Sequence, residues 1–330
     1  MNIELLKKLT SAFGTSGNEE DVAKIVETEL KPYADSISYD ALGNLTVFKK
    51  SNNNSAKKLM LCAHLDEIGI IVTYIEKEGF LRFGAIGGLN LQVCNGQRVV
   101  FKNGTVGVVS VEEKADVTKG IKINTMYIDI GAKDYESALK KVSVGDTAVF
   151  CGEFYVSDDT VISKALDDRI GVFALTEAFK EFTNPQYDIY AVFTSQEEVG
   201  LRGAKASAYN VEPDLALAID VTDTGDTPNS NPMAVKLGDG VCIKLKDNSV
   251  ITHKTINDML KNTAEENGIK YQYEILTYGG TDAGAVHITK GGAVTGALSV
   301  PTRHIHTPCE TVSLSDVNAL INILIKFTNN

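Results

Sequence analysis

The sequence predicts an α/β protein in which a mostly parallel sheet is covered by helices on both faces and interrupted by a small inserted β domain. Two observations carry this prediction. Before about residue 67 and after about residue 161, helical periodicities alternate with short apolar runs, the pattern of parallel strands joined by crossover helices. Between these stretches, short β-branched runs follow one another with turn residues between them, the texture of a compact all-β unit. The expected boundaries are residues 1–67 and 161–330 for the α/β domain and 68–160 for the insert.

Each element has its own justification. Ile3, Leu5, Leu6 and Leu9 share one side of a first helix. A second helix is expected to start near Ser16, where Glu19 completes a capping-box pattern, and Val22, Ile25, Val26 and Leu30 follow at helical spacing. ISYDALGNLTVFKK reads as two short strands broken at Gly43-Asn44, SNNNSAKK as a loop, and LMLCAH, ending at His64, as a buried strand. In the insert, GIIVTYI, FLRFGAI, RVVFKNGTVGVV, MYIDIG and DTAVFCGEF are strand-like, Asn103-Gly104 marks a hairpin, and DYESALKKV is helical. Helix and strand then alternate: RIGVFALTEAFKEF, YDIYAVFTS, LRGAKASAYN and DLALAID, followed by the helix ITHKTINDMLKNTAEENG. YQYEILT and TGALSVPTRHIH read as strands, and SLSDVNALINILIKFTNN as the closing helix.

Composition narrows the function classes. With 330 residues, 43% hydrophobic and 23% charged, the chain is globular rather than disordered. Its net charge of −11 gives no electrostatic footprint for nucleic acid or for an anionic membrane. No apolar run approaches the roughly 20 residues that span a bilayer. The opening MNIELLKKLTSAFG lacks a signal-peptide core, so cytoplasmic residence is the default expectation. The five cysteines are scattered and never form C-x-x-C, which argues against a disulfide framework or a thiolate zinc site. Neither Gly-rich stretch, GAIGGLN or TYGGTDAGA, matches a phosphate loop or dinucleotide fingerprint, and no G-x-S-x-G elbow is present.

The chemistry concentrates at five points, four of them closing an apolar strand: His64-Leu65-Asp66-Glu67, Asp167-Asp168, Glu197-Glu198, Asp220 and His306. Ligands of open α/β sheets bind outside the carboxyl ends of the strands, so residues at those ends converge. Two imidazoles with several carboxylates suit zinc, cobalt or manganese. A carboxylate shared by two ions would hold them roughly 3.5–4 Å apart, the two-metal hydrolase spacing. Each point also has a plainer reading. A lone strand-end histidine is more often structural, Asp167-Asp168 can cap the following helix, Glu197-Glu198 can be a solvated pair at a helix start, and Asp220 can begin a turn. Their coincidence on one sheet favours a metal site. His253, His287 and His304 have no comparable context.

Taken together, AHLDEIG (63–69), SKALDDRIG (163–171), SQEEVGLRGA (195–204), AID (218–220), GGTDAGA (279–285) and RHIHTPCE (303–310) resemble the tetrahedral aminopeptidases, di-metal exopeptidases that include glutamyl and deblocking enzymes. The match runs nearly end to end and takes in the opening GTSGNE, DALGNL and the insert segment IDIGAKDYESA. The resemblance implies two divalent ions per subunit, zinc or cobalt before manganese. It implies that His64 and Asp220 hold one ion, that Asp167 bridges, and that Glu198 and His306 hold the other. By the same resemblance Glu197 is the general base acting on a bridging hydroxide, and Asp66 orients His64. The peptide bond after Asp167 is expected to be cis. The implied reaction removes the N-terminal residue from short peptides, and the implied assembly is a homo-oligomer, a hollow tetrahedral dodecamer. Rival readings are an N-acyl amide hydrolase of the wider co-catalytic zinc group and a non-catalytic peptide-binding oligomer. Relatives have also been labelled cellulases, but glycoside hydrolysis usually needs two carboxylates free of metal.

Overall fold

The computed structural model describes residues 1–329. Helices α1 (Ile3–Ser11) and α2 (Glu20–Leu30) lead into strands β1 (Ser36–Tyr39), β2 (Leu45–Lys49) and β3 (Lys58–His64). The chain then builds β4 (Gly69–Ile75), β5 (Leu81–Ile86), α3 (Leu91–Cys94), β6 (Arg98–Phe101), β7 (Val106–Val111), β8 (Met126–Asp129), α4 (Tyr135–Leu139) and β9 (Thr147–Phe150). After these come β10 (Tyr155–Ser157), β11 (Thr160–Ser163), α5 (Leu166–Lys180), β12 (Asp188–Thr194), α6 (Arg202–Val211) and β13 (Leu215–Thr222). The last part holds β14 (Val241–Lys246), α7 (Lys254–Glu266), β15 (Tyr271–Ile275), α8 (Ala283–Val286), β16 (Val294–Arg303), β17 (Glu310–Ser313) and α9 (Leu314–Asn329).

Two sheets result. Strands β4, β5, β8, β7, β6 and β9 close into a barrel whose interior holds Val72, Phe83, Val99, Phe101 and Ile128. The other eleven strands form one sheet, ordered β1-β2-β12-β3-β13-β16-β17-β11-β10, with β14 and β15 branching from β16. The hairpin β10–β11 joins this large sheet through β17.

The large sheet is mixed, which corrects the expectation of a mostly parallel one. Its centre is parallel: β3 lies between β12 and β13, and β13 pairs with β16. The β1–β2 and β17–β11–β10 margins are antiparallel, whereas β15 at the third edge pairs parallel with β14. For the pairs adjacent in sequence, β1–β2, β10–β11 and β16–β17, connection length is the physical reason. A hairpin turn can only reverse the chain, whereas a parallel pair needs a crossover. The β1–β2 turn is such a reversal, in which the Asp40 carboxylate accepts the N–H groups of Leu42 and Asn44. Apolar alternation in the sequence carries no record of strand direction.

The central strands are buried on both faces. Leu59, Leu61 and Ala63 of β3 join a core shared with α1, α2, α5 and α9, while Met60 and Cys62 join a smaller core under α6 and α8. Strand β13 repeats this, with Leu217 and Ile219 on the first side and Ala216 and Ala218 on the second. Side chains alternate across a strand. His64 and Asp220 therefore continue the second set, and both leave the sheet on its α6/α8 face.

One expected cap takes a different form. Helix α2 begins at Glu20, and neither Ser16 nor Glu19 makes a capping box with it. Ser16 instead donates its hydroxyl to Asp66 at 2.6 Å, and Glu19 accepts the N–H groups of Gly17 and Gln196 at 2.8 and 3.0 Å. Both side chains serve the segment bearing Glu197. A true capping box occurs at α4, between Asp134 and Ser137. Among the described residues, no helix is long and apolar enough to cross a membrane.

Candidate metal centre

His64 closes β3, and its ring is held from behind. Nδ1 lies 3.1 Å from the Asp66 carbonyl oxygen and 3.5 Å from the Asp66 carboxylate, so the carbonyl makes the shorter contact. Nε2 faces Asp167 Oδ1 at 3.0 Å and Asp220 Oδ1 at 3.9 Å. The Asp66 carboxylate also collects the backbone N–H groups of Glu197 and Glu198 at 3.0 and 3.2 Å. One buried acid thus orders two parts of the cluster.

Asp167 stands between the two histidines. Its Oδ1 faces His64, and its Oδ2 lies 3.2 Å from His306 Nε2. Glu198 Oε1 approaches the same His306 nitrogen at 3.3 Å. The sequence elements therefore come together: His64, Asp167, Glu197, Glu198, Asp220 and His306 line one cavity of about 510 Å³. That volume suits a small-molecule or short-peptide ligand.

The structure separates Asp167 from Asp168, between which spacing alone could not choose. The peptide bond joining them is cis. Both have non-helical backbone angles although they lie at the start of α5. Asp168 is fully buried, outside the cavity lining, and both of its oxygens accept backbone N–H groups, from His64 at 3.2 Å and Gly171 at 3.1 Å. The Gly171 bond lies within the first turns of α5, so the Asp168 carboxylate braces the start of that helix. Two donor sets nonetheless have atoms within 4.8 Å of one another: His64, Asp167 and Glu198, and His64, Asp168 and Asp220.

Two positions differ from their expected setting. Asp220 lies inside β13, which runs on to Thr222, rather than at a strand end. His306 lies beyond the end of β16, in the loop before β17. The Glu198 side chain is only 5% exposed, which rules out a solvated pair at a helix start.

The electrostatics call for cations. Burial pushes the carboxyls of Glu197 and Asp220 well above the ordinary carboxylate range, and neighbouring acids add to this. Burial opposes charge on both histidines, but the neighbouring acids together outweigh it: Asp167, Asp66 and Glu197 at His64, and Asp167 with Glu198 at His306. His64 is raised well above its usual value, and His306 is pushed up to about 12. Glu198 Oε1 is buried and makes no well-formed hydrogen bond among the described residues, its contact with His306 Nε2 being an ion pair at 3.3 Å. Two imidazoles among buried carboxylates, with an oxygen so weakly engaged, fit a zinc-, cobalt- or manganese-type donor set.

Sequence reasoning missed several contributors. Gly87 and Gly88, from GAIGGLN after β5, bring the barrel against the cluster. A side chain at Gly87 would meet Glu198 Oε2 at 2.8 Å, and one at Gly88 would meet His306 Nδ1 at 2.9 Å. Buried Lys244 of β14 lines the cavity and pairs with Glu274 and Asp247. Asp282, in the GGTDAGA segment, accepts the Thr194 hydroxyl at 2.5 Å. The glycine pair and the GGTDAGA segment were visible as motifs; Lys244, inside an apolar strand, gave no signal.

Acids and imidazoles clustered on the carboxyl side of an α/β sheet are a donor set that could hold metal ions, as in metal-dependent hydrolases. Comparison with known proteins specifies which one. The chain matches the M42 glutamyl aminopeptidase family over residues 43–323 and belongs to that family, so it is a peptide-bond hydrolase of a metal-dependent group. It is 51% identical over 323 residues, 98% of this chain and 97% of the relative, to a protein of Acetivibrio thermocellus that carries an aminopeptidase name. An aminopeptidase structure from the archaeon Desulfurococcus kamchatkensis superposes with a TM-score of 0.95 at 37% identity, covering 99% of this chain and 94% of that one. The Pyrococcus horikoshii TET1 peptidase, whose structures show a tetrahedron or a large octahedral shell, gives a TM-score of 0.87 at 37% identity over 99% and 98% of the two chains.

Proposed function

We propose that this protein is a metal-dependent aminopeptidase that removes the N-terminal residue from short peptides. The observation that carries this reading is the placement of the Asp167 carboxylate, one oxygen toward His64 and the other toward His306. His64 and Asp220 would hold one divalent ion, Glu198 and His306 a second, with Asp167 shared between them. Two ions bound there would acidify water and polarise the scissile carbonyl.

The chain's own residues do the rest. Glu197, in the cavity wall with its pKa raised by burial, accepts a proton from the attacking water and returns it to the leaving amine. Asp66 keeps the back of the His64 ring occupied, so that Nε2 faces the cluster.

The same reading assigns residues 1–67 and 161–330 to catalysis and the inserted 68–160 region to assembly into a homo-oligomer. The tetrahedral and octahedral shells of the Pyrococcus horikoshii relative support the assembly. The decisive experiment combines metal analysis of purified protein with a panel of free-amine and N-acylated peptides. The expected result is bound zinc, cobalt or manganese and cleavage of free-amine substrates only. Cleavage confined to N-acylated substrates would replace the reading with an amide hydrolase.

A further inference from the structure

Glu310 has no part in the chemistry above, yet its carboxylate joins two of the proposed ligand-bearing segments. Oε2 accepts the backbone N–H of Asp167 at 2.9 Å, and Oε1 accepts that of His306 at 2.8 Å. Strand register explains the reach. Strands β11 and β17 are antiparallel with Ser163 opposite Glu310, so the last residue of one faces the first residue of the other. The chain leaves β11 toward Asp167 and enters β17 from the loop that carries His306. A side chain at this junction meets both backbones.

The His306 loop needs such an anchor. His306 has φ +60°, a left-handed conformation uncommon for a bulky residue. Its side chain is 31% exposed, against 2% for His64 and 9% for Asp167. Packing alone therefore holds this imidazole least. The nearby Lys164 ammonium is engaged by Glu67 at 2.7 Å, which leaves the Glu310 carboxylate to the two amides.

We propose that Glu310 is a positioning residue, a clamp that sets the His306 imidazole against the Asp167 carboxylate and so fixes the geometry in which ions are held. The inference rests on the metallopeptidase reading, which gives Asp167 and His306 a common task. Two N–H donors need two acceptor oxygens. A carboxamide offers one and turns an NH₂ donor toward the other amide. Aspartate keeps the charge but is one methylene too short to serve both.

The test titrates zinc into wild type, Glu310→Gln and Glu310→Asp in competition with a chromophoric chelator, with ion-free folding followed by circular dichroism. Both variants should bind zinc roughly 10–100-fold more weakly than wild type. Their ion-free melting should remain cooperative but shift down by the cost of one unpaired buried amide, and kcat should fall with KM changed by less than about twofold. Wild-type zinc affinity in a folded variant overturns the clamp. So does full affinity in Glu310→Asp beside a loss in Glu310→Gln, because charge alone would then suffice. If Glu310→Gln does not fold, Glu310→Asp decides the matter. A wild-type protein that binds no zinc and cleaves no free-amine peptide overturns the metallopeptidase reading and this inference together.

Discussion

At the scale of single residues, the site is made by buried acids doing two kinds of work. Some face the cavity, and others hold the backbone that presents them. Glu197→Gln separates these roles. It should retain bound metal and lose about 10²–10⁴ in turnover, as measured by elemental analysis beside peptide hydrolysis. Unchanged turnover would remove Glu197 as the base. Asp66→Asn should lower metal affinity roughly 10–100-fold, because it removes the negative charge beside His64 and one acceptor for the Glu197 and Glu198 N–H groups while leaving the Asp66 carbonyl in place; a zinc titration checks this. Away from the centre, Arg303 grips Asp226 through two contacts of 3.1 and 2.6 Å and holds its carboxyl at about 2, below the ordinary 3.8. A depressed acid pKa contributes stability that is complete above the unfolded value and is lost as pH falls through the folded one. The stability difference between wild type and Asp226→Asn should therefore be full near pH 7 and vanish between about pH 4 and pH 2. Solvent reaches this pair, so the difference should be about 1 kcal/mol at most in denaturant unfolding.

Among the elements, the start of α5 matters most. Arg169 is fully buried and donates to the carbonyls of Leu9 at 2.6 Å, Leu65 at 2.7 Å, and Ala12 and Gly14 at 3.2 Å. It therefore ties the end of α1 and the segment after β3 to the helix whose first turn carries Asp167. Glu67 balances it at 3.4 Å and Lys164 at 2.7 Å. Arg169→Ala would leave Glu67 and several carbonyls partly unpartnered and should cost about 3–5 kcal/mol in denaturant unfolding. A loss below about 1 kcal/mol would show the network to be dispensable. The RIGVF stretch announces a helix and says nothing of this role, because a buried arginine differs from a surface one only in its tertiary neighbours.

For the whole molecule, two cores meet at the metal centre. The barrel contributes Gly87 and Gly88, whereas the strands of the large sheet supply His64 and Asp220, the start of α5 supplies Asp167, and the segments after β12 and β16 supply Glu198 and His306. Removing the ions should abolish hydrolysis and lower the melting temperature, and restoring zinc, cobalt or manganese should reverse both. At free metal about 100-fold above Kd, each ion adds about 2.7 kcal/mol of stability. A melting curve indifferent to chelator would contradict a pair of resident ions. Light scattering should give a mass many-fold above the 35.6 kDa of one chain.

By itself the sequence determined the alternation of helices and strands, the presence of a separate β-rich region, and the residue types gathered at the ends of apolar runs. These are local properties, since periodicity and turn chemistry are written in neighbouring positions. Tertiary structure alone decided that the sheet is mixed, that Ser16 and Glu19 serve the Glu197 segment instead of a helix cap, and that Asp168 turns inward while Asp167 faces the cavity. It also joined Glu310 to two loops and set the barrel's glycines against His306 and Glu198. Each of these depends on which distant groups meet a hydrogen-bonding atom or fill a space, and one-dimensional order holds no measure of that.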